Sequence, residues 1–578
     1  MVAGYWYAGK LNRRAHLWLL TFAAVWCGFV FFFQSQILNT VAEFSGIPFI
    51  DSFMGVVALC GLTFVLLSAN SSLVQNLSGG NYRLYAVSNA GSLMGLMAYP
   101  LLIEPFLGLG LQWLCLGGLL LAYGLLLRRC CRVSSRSGGG EVTQTAVPFH
   151  LMWFLLPASS CALLNATTAH LTLDIAPMPL LWAVLLAAFL ASYVVGFSPV
   201  GERHVKAWGV LASALALSVA LIDSPNAAGV QYWTTLSCCI LLVFAGSAFL
   251  HSWLYTLRPE PSGLTRYYLA NVIGGGVGGV LSGIAAPHIF ETVAEFPLLL
   301  LLVAFAVPLF AFSKSWRSSR AYVAVTGLMA IVVLSVLVYD GCAVEPGGFE
   351  SVYRARGFFG TVKVDEIRAK AGNSDGVVRR FVHGDTTHGV QIRLPGKERM
   401  ATSYYTRYAC GYAIQGHWKY RRGKPMRVNI IGLGVGVLFA YGREGDCYRA
   451  YDIAPEAIEV ATNTNLFTFI SDCPAKKEIV LADARKGLEA ELASGVEPYD
   501  VIVVDAFTGD NIPYHLSTKE AFDLYFKLLK PDGILCFHTS NRHMNLDPLM
   551  RKVAEEYDVP LMGLVSLADD SVFRSAAK

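Results

Sequence analysis

The sequence predicts a multi-pass α-helical membrane domain, then a small β-rich subdomain, then an α/β doubly wound, Rossmann-like domain, and three observations carry that prediction. The chain has 578 residues, of which 54% are hydrophobic and 15% charged, too apolar for one ordinary soluble fold and too long for one domain. Charge is segregated: Asp, Glu, Lys and Arg number 26 in residues 1–340 and 60 in residues 341–578, about 8% against about 25%, so the two halves suit different solvents. Within the second half, period-two runs give way to regular strand–helix alternation.

Apolar segments of membrane-crossing length fall at 15–34, 53–70, 84–103, 108–127, 149–171, 178–197, 207–222, 233–254, 268–289, 296–313 and 321–339, eleven in all. The first run, Leu17 to Phe33, lacks a small-residue cleavage site and reads as a retained anchor. A basic, Gly/Ser-rich linker at 128–148, containing Arg128, Arg129, Arg132 and Arg136, separates membrane helices of 1–127 from those of 149–340. Gly91 precedes Pro100 and Glu104 by nine and thirteen residues, and Gly278 precedes Pro287 and Glu291 by the same spacings, an internal echo. Gly274-Gly-Gly276 and Gly278-Gly279 mark the expected closest backbone approach. Asn89, Glu104, Asn165, His170, Asp174, Asn271 and Glu291 lie at membrane depth or its edge, where facing lipid is costly, so they should face protein, a cavity or the interface.

Basic residues cluster at Lys10/Arg13/Arg14, 128–136, Arg203/Lys206, Arg258/Arg266 and Lys314/Arg317/Arg320, which puts these loops on the cytoplasmic side. Eleven crossings would then carry the C-terminal region outside. The stretch 149–171, interrupted by Pro157, Ser159, Ser160, Asn165 and Thr167, is one candidate for a segment that does not cross.

Residues 341–425 read as β-rich, with alternation at 360–365, 377–382 and 388–393. Residues 426–578 alternate strands at 427–432, 446–452, 477–482, 499–505 and 532–538 with helices near 435–443, 455–465, 484–492, 517–529 and 545–556, the pattern of a parallel sheet covered on both faces. The first strand runs into Gly432-Leu-Gly434-Val-Gly436, where glycines admit a ligand close to the backbone. Asp452 ends the second strand, where a carboxylate can accept ribose hydroxyls. Asp483 follows the third strand and Asp505 the fourth, so three carboxylates open onto the crevice at the strands' C-terminal ends, an arrangement found in S-adenosylmethionine methyltransferase-type folds. Helix capping alone could explain any single Asp after a strand. Three in succession beside a glycine loop argue for a ligand.

These residues resemble a family. Gly432-Leu-Gly434-Val-Gly436, Tyr451-Asp452-Ile-Ala-Pro455, Ala482-Asp483-Ala484-Arg485, Asp505-Ala-Phe-Thr508-Gly-Asp510 through His515, and His538-Thr-Ser-Asn541-Arg542 look like the bacterial membrane-fused relatives of spermidine synthase. Phe358-Phe-Gly-Thr-Val, His383-Gly384, His388-Gly-Val-Gln391 and Ser403-Tyr404-Tyr405 resemble the family's N-terminal β-subdomain, and Tyr85 to Ser92 with Pro100 to Pro105 resemble its membrane part. The resemblance implies a polyamine aminopropyltransferase in a bacterial inner membrane with its catalytic domain in the cytoplasm. The co-substrate would be decarboxylated S-adenosylmethionine or S-adenosylmethionine, held by Gly432, Gly434, Gly436, Asp452, Asp483 and Ala484, with Gln391 near its methionine-derived tail. Asp505 matches the catalytic aspartate, joined by Tyr405 and Asp510; Tyr404, Thr508 and His515 would line the acceptor channel. Implied partners are a small-molecule amine or polyamine and the lipid bilayer, with a homodimer compatible with the fold. The chain departs from the pattern at Thr508, where a second acid is usual, at Ala454, and between Gln391 and Tyr404, where the acids that hold a diamine's far end have no counterpart.

A net charge of +4 without a basic block gives no case for nucleic acid. Thirteen Cys without C-x-x-C or a Cys/His cluster give none for a metal or a disulfide framework. Three functions stay open: an aminopropyltransferase, another S-adenosylmethionine-dependent enzyme (methyltransferase or lyase), and a transporter or sensor with a regulatory nucleoside-binding domain.

Overall fold

The computed structural model describes residues 3–4, 7, 13–42, 48–77, 81–136, 147–172, 179–223, 232–313, 320–342, 348–371, 374–384, 386–406, 410–507, 513–539 and 545–564. The chain forms two compact units, one of residues 1–168, 179–285 and 295–341, the other of residues 169–178, 286–294 and 342–578.

The first unit is helical: α1 (Arg13–Ala42), α2 (Pro48–Leu77), α3 (Arg83–Ala98), α4 (Leu109–Arg136), α5 (Met152–Leu171), α6 (Pro179–Gly196), α7 (Pro199–Ile222), α8 (Tyr232–Thr256), α9 (Leu264–Val280), α10 (Glu295–Ser313) and α11 (Arg320–Cys342). Among the described residues, eight helices are long and apolar enough to cross a membrane, and α6 and α10 are shorter apolar helices. The segment 149–171 belongs to neither set, although it forms a 20-residue helix that continues through Pro157. The basic stretch begins inside α4, which stays helical through Arg136; residues 137–146 of the linker lie outside the described residues, as does Asp174.

Leu20, Ala23, Cys27 and Val30 on α1 pack with Leu66 and Leu73 on α2 and Trp113 and Leu120 on α4. Trp18, Phe22 and Phe32 on the same α1 stay more than half exposed, as a lipid-facing surface requires. The glycine expectation holds at two positions: a β-carbon on Gly274 would lie 2.2 Å from the Phe154 carbonyl oxygen and one on Gly278 2.1 Å from that of Ala158, so α9 and α5 touch backbone to backbone. Gly275 and Gly276 meet nothing within 4 Å among the described residues. Both echoed stretches contain a π-helical turn, Tyr99–Ile103 and Leu281–Ala285, but the open surroundings of Gly91 do not match the tight contact at Gly278.

In the second unit β1 (Glu350–Gly357), β2 (Gly360–Ala371), β3 (Ser374–His383) and β4 (Thr386–Arg393) form an antiparallel meander; β1 is a strand the sequence reading left out. After α12 (Cys410–Gly416) comes a parallel sheet of five strands in the order β7-β6-β5-β8-β9: β5 (Arg427–Ile431), β6 (Cys447–Asp452), β7 (Lys476–Leu481), β8 (Tyr499–Val504) and β9 (Leu529–Phe537). The period of two sorts its side chains onto two faces. Val428, Ile430, Val501 and Val503 pack with Ile414 on α12 and Val460 on α13 (Pro455–Thr462). Ile431, Ile502 and Val504 pack with Leu488 on α14 (Ala484–Ser494) and Phe522 and Tyr525 on α15 (Lys519–Leu528). One expected α-helix differs: 435–443 is a 3-10 turn at Val437–Tyr441, because Gly434 and Gly436 hold positive φ and delay the helical path. Among the described residues the last helix is α16 (Asp547–Glu556). Strand order reverses between β5 and β8, which opens a crevice at their C-terminal ends.

Candidate functional site

A cleft, partly open to solvent, lies at that crevice, at the C-terminal ends of the strands. It gathers Gly432, Gly434, Asp452, Asp483, Ala484, Asp505, Tyr405 and His515 of the predicted site. Four of these stand at the C-terminal ends of β5 to β8: Gly432 and Asp505 just past their strands, Asp452 the last residue of β6 and Asp483 two residues past β7, so parallel strands of similar length bring them to one rim.

Gly432 has φ 95°, and a β-carbon there would lie 2.1 Å from the Asp505 carbonyl oxygen; the first loop and the fourth strand's end can meet only through a glycine. The Asp452 carboxylate accepts from the backbone N–H of Leu433 and of Ala454, both at 2.9 Å, and so pins the glycine loop. Burial raises its pKa above the usual carboxylate range, against the pull of those two N–H groups. Asp483 caps α14, accepting from Lys486 N at 3.1 Å, while its other oxygen lies 2.9 Å from His515 Nε2. Capping is therefore realised at Asp483, on a residue that also lines the cleft.

Asp505 is 7% exposed. One oxygen accepts from His538 Nδ1 at 2.6 Å, and the other is buried with no partner among the described residues. Register explains the pairing: β8 and β9 run parallel with Val504 opposite Phe537, so 505 and 538 leave the sheet side by side. The opposite wall comes from the meander. His388 on β4 is buried, lines the cleft, and has an Nε2 with no partner among the described residues. Burial pushes its pKa down to about 4, with the neighbouring His383 adding to the effect, so the ring is neutral at pH 7. His383 Nε2 donates to the Phe359 carbonyl at 2.9 Å, and burial lowers its pKa as well. The Tyr405 hydroxyl donates to the His388 carbonyl at 3.4 Å and lies 3.3 Å from where a Gly434 β-carbon would be.

Two predicted site residues stand apart from the cleft. Gln391 is fully buried, with its amide donating to the Glu398 carbonyl and Thr468 Oγ1 and accepting from Thr468 N; β4 turns this side chain into the protein, where its hydrogen bonds are spent on a loop. Gly436 packs against Ile470, one turn beyond the cleft lining. Thr508 and Asp510 lie outside the described residues, as does the side chain of Tyr404. His383, His388 and His538 were not assigned to the site from sequence. The signal for His538 was its place one residue past a strand parallel to the one ending at Asp505; the two meander histidines carried no positional signal beyond their motifs.

Compared with known protein families and with curated proteins, the chain matches no family model and no curated protein.

Proposed function

We propose that the chain is a membrane-bound, spermidine synthase-like aminopropyltransferase that moves a propylamine group from decarboxylated S-adenosylmethionine to an amine, releasing methylthioadenosine. Asp505 carries this reading: a nearly buried carboxylate with one oxygen held by His538 and the other without a partner among the described residues, beside a glycine loop and two further strand-end carboxylates. An acceptor amine is protonated at neutral pH and cannot attack. The other oxygen of Asp505 takes that proton, and His538 keeps the carboxylate oriented. The amine lone pair then forms the new C–N bond, the C–S bond breaks, and its electron pair neutralises the sulfonium. Neutral His388 and the Tyr405 ring border the acceptor without adding charge. The nucleoside would rest on Gly432, Gly434, Asp452 and Ala484.

A second reading has its own observation. Among the described residues the carboxylates lining the cleft are Asp452, Asp483 and Asp505, with none placed for a diamine's far ammonium. A methyltransferase or lyase acting on S-adenosylmethionine fits that shortage.

Mass spectrometry separates the two: purified protein, wild type and Asp505→Asn, is incubated with either nucleoside, with and without polyamines. Methylthioadenosine with an aminopropylated amine, reduced at least about 100-fold in the variant, is expected. S-adenosylhomocysteine, or methylthioadenosine with every amine unmodified, would replace the first reading by the second.

A further inference from the structure

The helical unit buries a polar constellation of its own. His251 on α8 is fully buried; its Nδ1 lies 3.0 Å from Ser192 Oγ on α6, and its Nε2 lies 3.0 Å from Ser160 Oγ on α5. Each serine has a second partner in its own helix: Ser192 Oγ donates to the Phe189 carbonyl at 2.6 Å and Ser160 Oγ to the Pro157 carbonyl at 3.0 Å. The array therefore reads carbonyl, serine, imidazole, serine, carbonyl, with four links and an obligate acceptor at each end.

Counting protons shows what the array lacks. Each hydroxyl supplies one proton and a neutral imidazole one, three protons for four links. With both serines donating outward, both ring nitrogens must donate inward, which an imidazolium alone can do. A neutral ring instead leaves one nitrogen lone pair facing a serine, which must turn inward and release its carbonyl or leave the link unmade.

We propose that Ser160, His251 and Ser192 form a proton-binding site of the helical unit, whose ligand is one proton drawn from water. Bound, it closes all four links and ties α5, α6 and α8 together; unbound, the open link passes from one serine to the other as the tautomer changes. The surroundings suit an intermittent charge. The Tyr193 ring stacks on the imidazole with centroids 3.5 Å apart, and its π-face favours a cation. Phe189 meets the ring edge-on, and Tyr193 is the titratable side chain facing it; among the described residues no charged group from the packed helices bears on it. Gly196, whose β-carbon would lie 2.5 Å from His251 Cβ, holds α6 against α8 at this level. The proposal is independent of the reading of the cleft and goes beyond it.

Solid-state NMR of the full-length protein in lipid nanodiscs, labelled with 15N-histidine, tests it, His251→Gln identifying the His251 signals by difference. Two nitrogens exchange-averaged between tautomers near pH 8 and both protonated at the acid end of the titration are expected. Hydrogen exchange around residues 157–163, 189–195 and 248–254 should slow about fivefold on protonation, the effect of one added hydrogen bond, and show no such pH response in His251→Gln. One fixed tautomer across the whole range, or identical pH responses in wild type and His251→Gln, would overturn the proposal.

Discussion

At the scale of single residues, His388 carries the clearest pH signature. Its pKa lies near 4 in the fold and near 6.5 in the unfolded chain, so between these values the unfolded chain holds a proton that the folded one refuses. Stability on this account is complete above about pH 6.5 and is lost as pH falls to about 4, a term of about 3 kcal/mol for this buried ring. Hydrogen-exchange protection of β5 and β8 peptides in the full chain should fall more steeply over that window in wild type than in His388→Asn. Parallel slopes would show that the ring titrates normally. Residues at this scale divide in how far the sequence revealed them. Asp505 and Asp452 were legible because a strand end fixes where an Asp emerges. Gln391 was not: its motif is in place, but the pleat of β4 sends the amide toward Thr468, and no motif encodes which face of a strand is wet.

At the scale of elements, the parallel sheet was legible strand by strand, since buried apolar runs bounded by Gly and Asp have few alternative readings. The meander's first strand was not, because Glu350 to Gly357 mixes Arg, Ser and Tyr at half-buried positions and shows no apolar alternation. The turn after β5 shows why local pattern fails where backbone geometry is unusual. Gly432, Gly434 and Gly436 all hold positive φ, yet their neighbours differ. A methyl at Gly432 would strike the Asp505 main chain, whereas one at Gly434 would meet its nearest atom, the His388 carbonyl oxygen, at 3.1 Å. Gly432→Ala should therefore cost roughly 3 kcal/mol or more from combined strain and overlap, and it should displace Asp505. Gly434→Ala carries the same backbone strain with far less overlap. Denaturant midpoints should rank wild type above Gly434→Ala above Gly432→Ala, with nucleoside binding weakest in the last; equal midpoints for the two variants would mean that overlap with Asp505 is relieved elsewhere.

At the scale of the whole molecule, membrane orientation is decided by counting crossings from the basic linker, whose Arg128 to Arg136 favour the cytoplasm. Seven apolar segments follow it, and seven crossings would leave the last domain outside, whereas the proposed transferase would draw on a nucleoside made in the cytoplasm. On that proposal one of the seven stops short. If α5 were that segment, Arg203/Lys206, Arg258/Arg266 and Lys314/Arg317/Arg320 would all be moved outward, whereas α10 displaces the last cluster alone. α10 also has the length for it: its apolar span, Glu295–Ala311, is at the lower limit for crossing and contains Pro308, whereas Arg320–Asp340 is 21 residues long with mean hydropathy 2.5. Reporter fusions within 137–146, within 314–319 and after the last residue should thus read inside, outside and inside. A C-terminal reporter on the outer face would mean that all seven segments cross. The cytoplasmic nucleoside pool would then be out of reach, and the transferase reading would have to yield to a nucleoside supplied from outside the cell.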